Sequence, residues 1–243
     1  MSSDDDCIRH VGCIRHVSIE NTQLKHASGV YNTVCLGYGV SPEETHEDCT
    51  PKEVLEQQLQ RFPEGQFVAV HKSGEREQVV GVAITMRTNT PPAKGEQTWF
   101  NIVGDLNLPK HDPDGKWLYG VDMVVHPEFR RQGVGTALYE ARFDLVKRLK
   151  LRGWYAGGML MGYQDYAHKM TPEAYADKVK KRELQDPTVT MQMNRGFRAV
   201  KLIKDYYPIP DAHGAAMLIV WHNQQYKLPK AQLTLRGESV QRT

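Results

Sequence analysis

The spacing of apolar positions changes along the chain, and the clearest change lies in its middle. Residues 119–125 are almost continuously apolar and β-branched, the pattern of a strand buried on both faces. His126-Pro127 closes that strand, because proline lacks the donor a ladder needs. Leu138, Ala141, Leu145 and Leu149 then recur at three- and four-residue spacing and predict an amphipathic helix. Lys147, Arg148 and Lys150 suit the negative end of its dipole, and Gly153 is the expected stop. Between strand and helix stands Arg130-Arg131-Gln132-Gly133-Val134-Gly135-Thr136.

The same reading extends outward. Residues 21–36 and 51–62 read as helices, the second starting at Thr50-Pro51 with an apolar face of Val54, Leu55, Leu59 and Phe62. Residues 66–71 and 79–86 form a hairpin across a polar turn at residues 74–77. Residues 154–160 predict another strand, and Thr171-Pro172-Glu173 begins a helix to about Arg182. A short helix follows Asp186-Pro187 and ends at Gly196. Residues 197–207 and 215–221 pair as strands, with Met217 to Val220 apolar enough to be central. Two segments are long for connections, 89–116 and 161–185. The first carries the turn signal Asp112-Pro113-Asp114-Gly115, which lacks the ligand spacing of a calcium loop. The order is α/β: strand, two helices, three strands, helix, strand, helix, two strands.

The junction has a definite chemistry. The first turn of a helix offers free N–H groups and partial positive charge, and glycines let a phosphate approach the backbone. Two arginines at a helix N-terminus are disfavoured unless an anion is present. The stretch therefore predicts a pyrophosphate cradle.

Arg130-x-x-Gly133-x-Gly135, after a strand ending Val125-His126-Pro127, resembles the acyl-CoA signature of the GNAT acetyltransferase superfamily. The wording HDPDGKWLYGVDMVVHPEFRRQGVG is most similar to GNAT domains fused to carbon–nitrogen hydrolase (nitrilase-like) domains. The resemblance implies an acyl-CoA N-acyltransferase fold, a mixed central sheet flanked by helices, with insertions at 89–116 and 161–185. It implies one domain over 13–224, an extension at 1–12 and a tail at 225–243. It further implies acetyl-CoA as cosubstrate and no metal. The backbone of Met123, Val124 and Val125 is expected to hold the thioester arm, with the Met123 N–H as oxyanion donor. Arg130, Arg131, Gln132, Gly133, Val134, Gly135 and Thr136 are expected to hold the pyrophosphate.

The proton-handling groups follow less directly. Tyr119 occupies the strand position where some relatives carry a base, and as a neutral phenol it would orient a water. Asp122 is a carboxylate in an apolar strand, costly to bury unless paired or used. Gln192 stands where many GNAT enzymes place a tyrosine acid four residues before a Gly-Phe turn, here Gly196-Phe197. Tyr163 and Tyr166 are alternatives, each more readily a packing residue. The acidic link over residues 37–49 is expected to border the acceptor site.

Composition narrows the classes. The chain has 243 residues, 40% hydrophobic and 25% charged, with net charge +2. That balance argues against a nucleic-acid surface. Without a leader or a long apolar run the expectation is a soluble cytoplasmic protein, no membrane partner, and reduced thiols at Cys7, Cys13, Cys35 and Cys49. A tandem repeat, CIRHVG then CIRHVS, offers Cys7, His10, Cys13 and His16, but its spacing matches no common zinc module. One repeat unit is expected to form the first strand. The expected reaction is acetyl transfer to a small-molecule amine. The rivals are a non-catalytic acyl-CoA-binding or docking domain and a protein N-acetyltransferase. A homodimer through the last strands and a separately encoded carbon–nitrogen hydrolase complete the expected partners.

Overall fold

The computed structural model describes residues 16–43, 49–92, 94 and 98–227. The first repeat unit, most of the second, the metal-ligand reading on them and nearly all of the tail lie outside the described residues.

Seven strands form one sheet in the order β1-β2-β3-β4-β5-β7-β6. They are β1 (Val17–Asn21), β2 (Gln66–Ser73), β3 (Arg76–Thr88), β4 (Trp117–Val125), β5 (Gly153–Met159), β6 (Arg198–Ile203) and β7 (Ala216–His222). All neighbours are antiparallel except β4 and β5, so the sheet is mixed. Met217 to Val220 sit in β7 between two strands and are buried, as their continuous apolarity requires.

Helices cover both faces. On one, α4 (Val134–Arg148) packs Leu138, Phe143, Leu145 and Val146 against Trp154 and Phe197. On the other, α1 (Ala27–Tyr38) and α2 (Lys52–Arg61) cover Val68, Val82, Ile84 and Tyr119. Fully burying a large apolar side chain contributes about 1.5–3 kcal/mol, so these two layers carry most of the fold's stability.

Several boundaries differ from the sequence reading. The helix α4 stops at Arg148 rather than at Gly153, which instead opens β5. Lys150 supplies the left-handed residue after it, with φ 53°. Pro51 is the N-cap of α2, one position later than expected. The thiols also differ: Cys35 in α1 and Cys49 form a disulfide, their Cα atoms 5.4 Å apart. Fourteen residues separate them in sequence, and folding α1 onto the start of α2 brings them into bridging range.

Both long segments are ordered in part. Within 89–116, the single turn α3 (Trp99–Ile102) starts at Thr98, whose hydroxyl accepts from Asn101 N. The Asp112 turn closes where expected, Gly115 N donating to Asp112 O at 2.9 Å. Within 161–185, α5 (Pro172–Lys180) is capped by Thr171, which accepts from Ala174 N. The short α6 (Val189–Asn194) begins where the Asp186 carboxylate accepts from Thr188 N and Val189 N.

Candidate active site

The site is made by a failure of pairing. Parallel β4 and β5 are joined only at Trp117–Gly153, Leu118–Trp154 and Tyr119–Tyr155. Beyond Tyr119 the two strands diverge. A cleft of about 860 Å³ opens between them, with Gly120 to Met123 on one wall and Ala156, Gly157 and Met159 on the other. A bulge in β4 helps the divergence: Ile84 faces Asp122 and Thr85 faces Gly120, leaving Val121 as the extra residue. The Trp99 indole, from the first long segment, donates to Val121 O at 3.1 Å and satisfies the carbonyl at the bulge.

The edge of β4 that faces the cleft follows from strand alternation. His126 N donates to Val80 O on the β3 side, so the N–H groups of Val125 and Met123 point away from β3, toward the opening. The backbone edge expected to hold the thioester arm therefore borders the opening. The Met123 N–H is not idle, however. It donates to Asp122 Oδ1 at 2.7 Å, and the same oxygen accepts from the Tyr38 hydroxyl at 2.7 Å. A carboxylate one residue away thus holds the N–H expected to serve as oxyanion donor. Val124 faces the opposite layer, where its side chain meets Gly37 of α1.

At the mouth stands the cradle. Gly133 precedes α4 with φ 91°, a left-handed conformation that a side chain would strain, and no side chain caps the helix. The first backbone bond of α4 runs from Ala137 N to Gly133 O, so the N–H groups of Val134, Gly135 and Thr136 point outward from the turn. A Cβ on Gly135 would meet nothing closer than 3.8 Å, so packing does not demand glycine there and the space over the backbone is open. Arg131 is exposed with φ 61°, and Gln132 donates to Glu128 O at 2.6 Å.

Arg130 departs from expectation. Its guanidinium donates to Val125 O at 3.2 Å and to Gly37 O at 2.7 Å, and its N–H to Pro127 O at 3.3 Å. It braces the end of β4 against the carbonyl end of α1, where a cation suits the dipole. A different arginine reaches the cradle: Arg195, just past α6, donates to Thr136 Oγ1 at 2.7 Å.

Tyr119 lies behind the cleft wall. It is fully buried on the α1 side of the sheet, and its hydroxyl is 2.8 Å from that of Tyr206, which does line the cleft. Burial first, then the neighbouring Tyr206, pushes the Tyr119 phenol far above its ordinary value. The Tyr206 phenol is also pushed up, to about 12, chiefly by burial. Tyr206 holds the cleft-facing position, and Tyr119, expected to orient a water, meets the cleft only through the Tyr206 hydroxyl. Tyr163 and Tyr166 are packing residues, the first donating to Met170 O and the second in tilted ring contact with Tyr175. Gln192 does line the cleft, where it donates to the Tyr139 hydroxyl at 3.1 Å.

Sequence reasoning missed Arg142. It is 2% exposed on the sheet-facing side of α4 and lines the cleft floor. Its guanidinium lies over the rings of Tyr139 and Trp154, 4.4 and 4.3 Å from their centroids. The signal was present, since Arg142 sits between Leu138 and Leu145 on the apolar stripe. No described helix is long and apolar enough to cross a membrane.

Comparison with known proteins agrees with this geometry. Residues 31–160 match the sequence profile described as the acetyltransferase (GNAT) family. A probable hydrolase of Bacillus subtilis strain 168, YhcX, is 34% identical over 187 residues, which cover 74% of this chain but only 36% of that relative. The uncharacterised N-acetyltransferase YkwB of the same strain is 24% identical over 173 residues, 71% of this chain and 75% of that protein. Among solved structures, a GNAT-like decarboxylase, GphF, in complex with isobutyryl-CoA superposes with a TM-score of 0.68 at 18% identity, covering 84% of this chain and 98% of that one. At that identity the likeness speaks for the fold alone.

Proposed function

Because the chain belongs to the acetyltransferase (GNAT) family, we propose that it transfers an acetyl group from acetyl-CoA to the amine of a small molecule. The observation that carries this reading is the combination at β4 and α4. A splayed strand edge lies beside an uncapped helix N-terminus whose second residue leaves its backbone open. The fit to CoA is specific. Val134, Gly135 and Thr136 offer N–H groups to the pyrophosphate, with Arg131 and Arg195 adding charge. The Met123 and Val125 backbone faces the pantetheine arm, and the cleft apex receives the thioester.

Acyl transfer then needs a neutral amine held in line with the thioester carbon. Asp122 and Tyr38, joined at 2.7 Å, stand on the wall nearest the loop that follows α1 and are placed to receive the amine's proton. Met123 N–H serves as oxyanion donor once Asp122 turns from it to the amine. Trp99 of the first long segment, set edge-on against Tyr207 from the link between β6 and β7, walls the acceptor side and favours a small acceptor over a protein chain.

A second reading, a domain that binds acyl-CoA without turnover, is favoured by the engaged Met123 N–H and by Gln192 at the tyrosine position. Partial coverage of a relative named a probable hydrolase supports a further proposal, a carbon–nitrogen hydrolase as working partner. Incubation with acetyl-CoA and a panel of amines, amino acids and N-terminal peptides tests the set. Thiol release with a small amine is the expected result. Saturable acetyl-CoA binding with no release for any amine would establish the binding domain instead.

A further inference from the structure

Arg142 has no role in that scheme, and its setting demands one. A guanidinium buried without an anion is costly, because water no longer solvates it. Its hydrogen bonds are to neutral groups: Nε donates to the Leu138 carbonyl at 3.1 Å, Nη2 approaches the Met123 thioether at 2.7 Å, and the Tyr139 side chain bonds it as well. Among the described residues no ion pair joins it to a carboxylate. Two aromatic rings flank it where it lines the cleft, and it touches the side chain of Met123 on β4.

We infer that Arg142 stabilises the leaving CoA thiolate by charge, in place of the proton donor that Gln192 cannot supply. The inference rests on the acyl-CoA reading of the cleft. The amine lone pair forms the new C–N bond, and the C–S bonding pair departs with sulfur. The proton released by the attacking nitrogen passes through Asp122 to solvent. The sulfur leaves as an anion beside a fixed cation, in a site where low dielectric strengthens the attraction. The side chain already contacts one sulfur, that of Met123, whose displacement would let the thiolate take the same donor.

Other groups facing Arg142 bear on the balance. Asp122 from β4 supports its charge, and Tyr139 beside it on α4 does the same. Arg195 opposes it, and burial is the largest influence, lowering its pKa to about 10. The guanidinium is therefore still protonated at neutral pH. Tyr206 across the cleft, pushed up to about 12, does not titrate in the range where a thiol does.

The test is the pKa of the CoA thiol in the complex, read from thiolate ultraviolet absorbance with the desulfo-CoA complex as blank. The native protein is expected to lower that pKa by about one unit, a tenfold gain in thiolate at pH below it. Arg142→Met, which keeps volume and apolar stacking, is expected to restore the value of free CoA, and Arg142→Lys to retain part of the shift. A bound thiol with an unshifted or raised pKa in the native protein would overturn the inference, whatever the variants do. So would an Arg142→Met complex that keeps the lowered value. Failure of CoA to bind at all would instead overturn the cofactor reading on which this one rests.

Discussion

The two halves of β4 share one strand and have opposite fates. Trp117 to Tyr119 are paired with β5 on one side and β3 on the other, and their side chains are buried. Gly120 to Val125 keep β3 but lose β5, and the bulge at Val121 sets the turn between the two regimes. The first half is made of packing, and its residues are large and apolar. The second half presents backbone unpaired on its β5 side, begins at Gly120, and has Gly157 and the open Gly135 among its neighbours. A site for an extended, amide-rich cofactor can thus be formed by withholding one strand partner, with little change in side-chain chemistry.

That contrast can be broken from either side. Leu118 is fully buried in the paired half, and Leu118→Ala is expected to cost about 2–5 kcal/mol of stability in denaturant unfolding. CoA affinity of the folded variant should change only a few-fold; a loss as large as that of a cradle variant would mean the halves are not separable. Trp99→Phe removes the bond to Val121 O at the boundary. About 1–3 kcal/mol of stability should go with it, together with weakened CoA binding, since the bulge sets the divergence. Stability loss with unaltered affinity would show that the bulge does not position the β4 edge.

Tyr119→Phe belongs to the paired half but touches the cleft through Tyr206. It should cost about 1 kcal/mol and raise the acceptor's KM with CoA affinity unmoved. An unchanged KM would make Tyr206 a wall residue and nothing more. The last effect is electrostatic and lies outside the cleft. His111 is lowered to about 4, first by burial and then by Arg87, and its Nδ1 accepts from Arg87 N at the end of β3. The unfolded chain protonates this ring first, near 6.5, so the stability is present above that pH and is lost as pH falls toward about 4. His111→Phe, which keeps the stack on Phe62, should flatten the melting temperature across that window.

The succession of elements along the chain and the strand–turn–helix junction were legible because they are written locally. The run at 119–125, the left-handed Gly133 and the α4 stripe each depend on neighbours close in the chain. The contacts that shape the cleft and its mouth join distant residues: Tyr38 with Asp122, Arg195 with Thr136, Tyr119 with Tyr206. No local pattern announces such pairs, which is why Arg130 was expected on the phosphate and found bracing α1. The Cys35–Cys49 bridge was missed for the same reason, since only the packing of α1 on α2 brings the two together. Arg142 is different, because a cation on an apolar stripe was visible and went unread.

The central claim is that the diverging strands and the α4 turn form a CoA site. Calorimetric titration of acetyl-CoA into the native chain and into Gly135→Glu tests it most directly. That change sets a carboxylate against the pyrophosphate, where like charges cost several kcal/mol. The predicted result is saturable binding to the native protein and a loss of roughly a hundredfold or more in the variant, with both folded. A folded native chain that binds no CoA, or a variant that binds it equally well, would contradict the assignment.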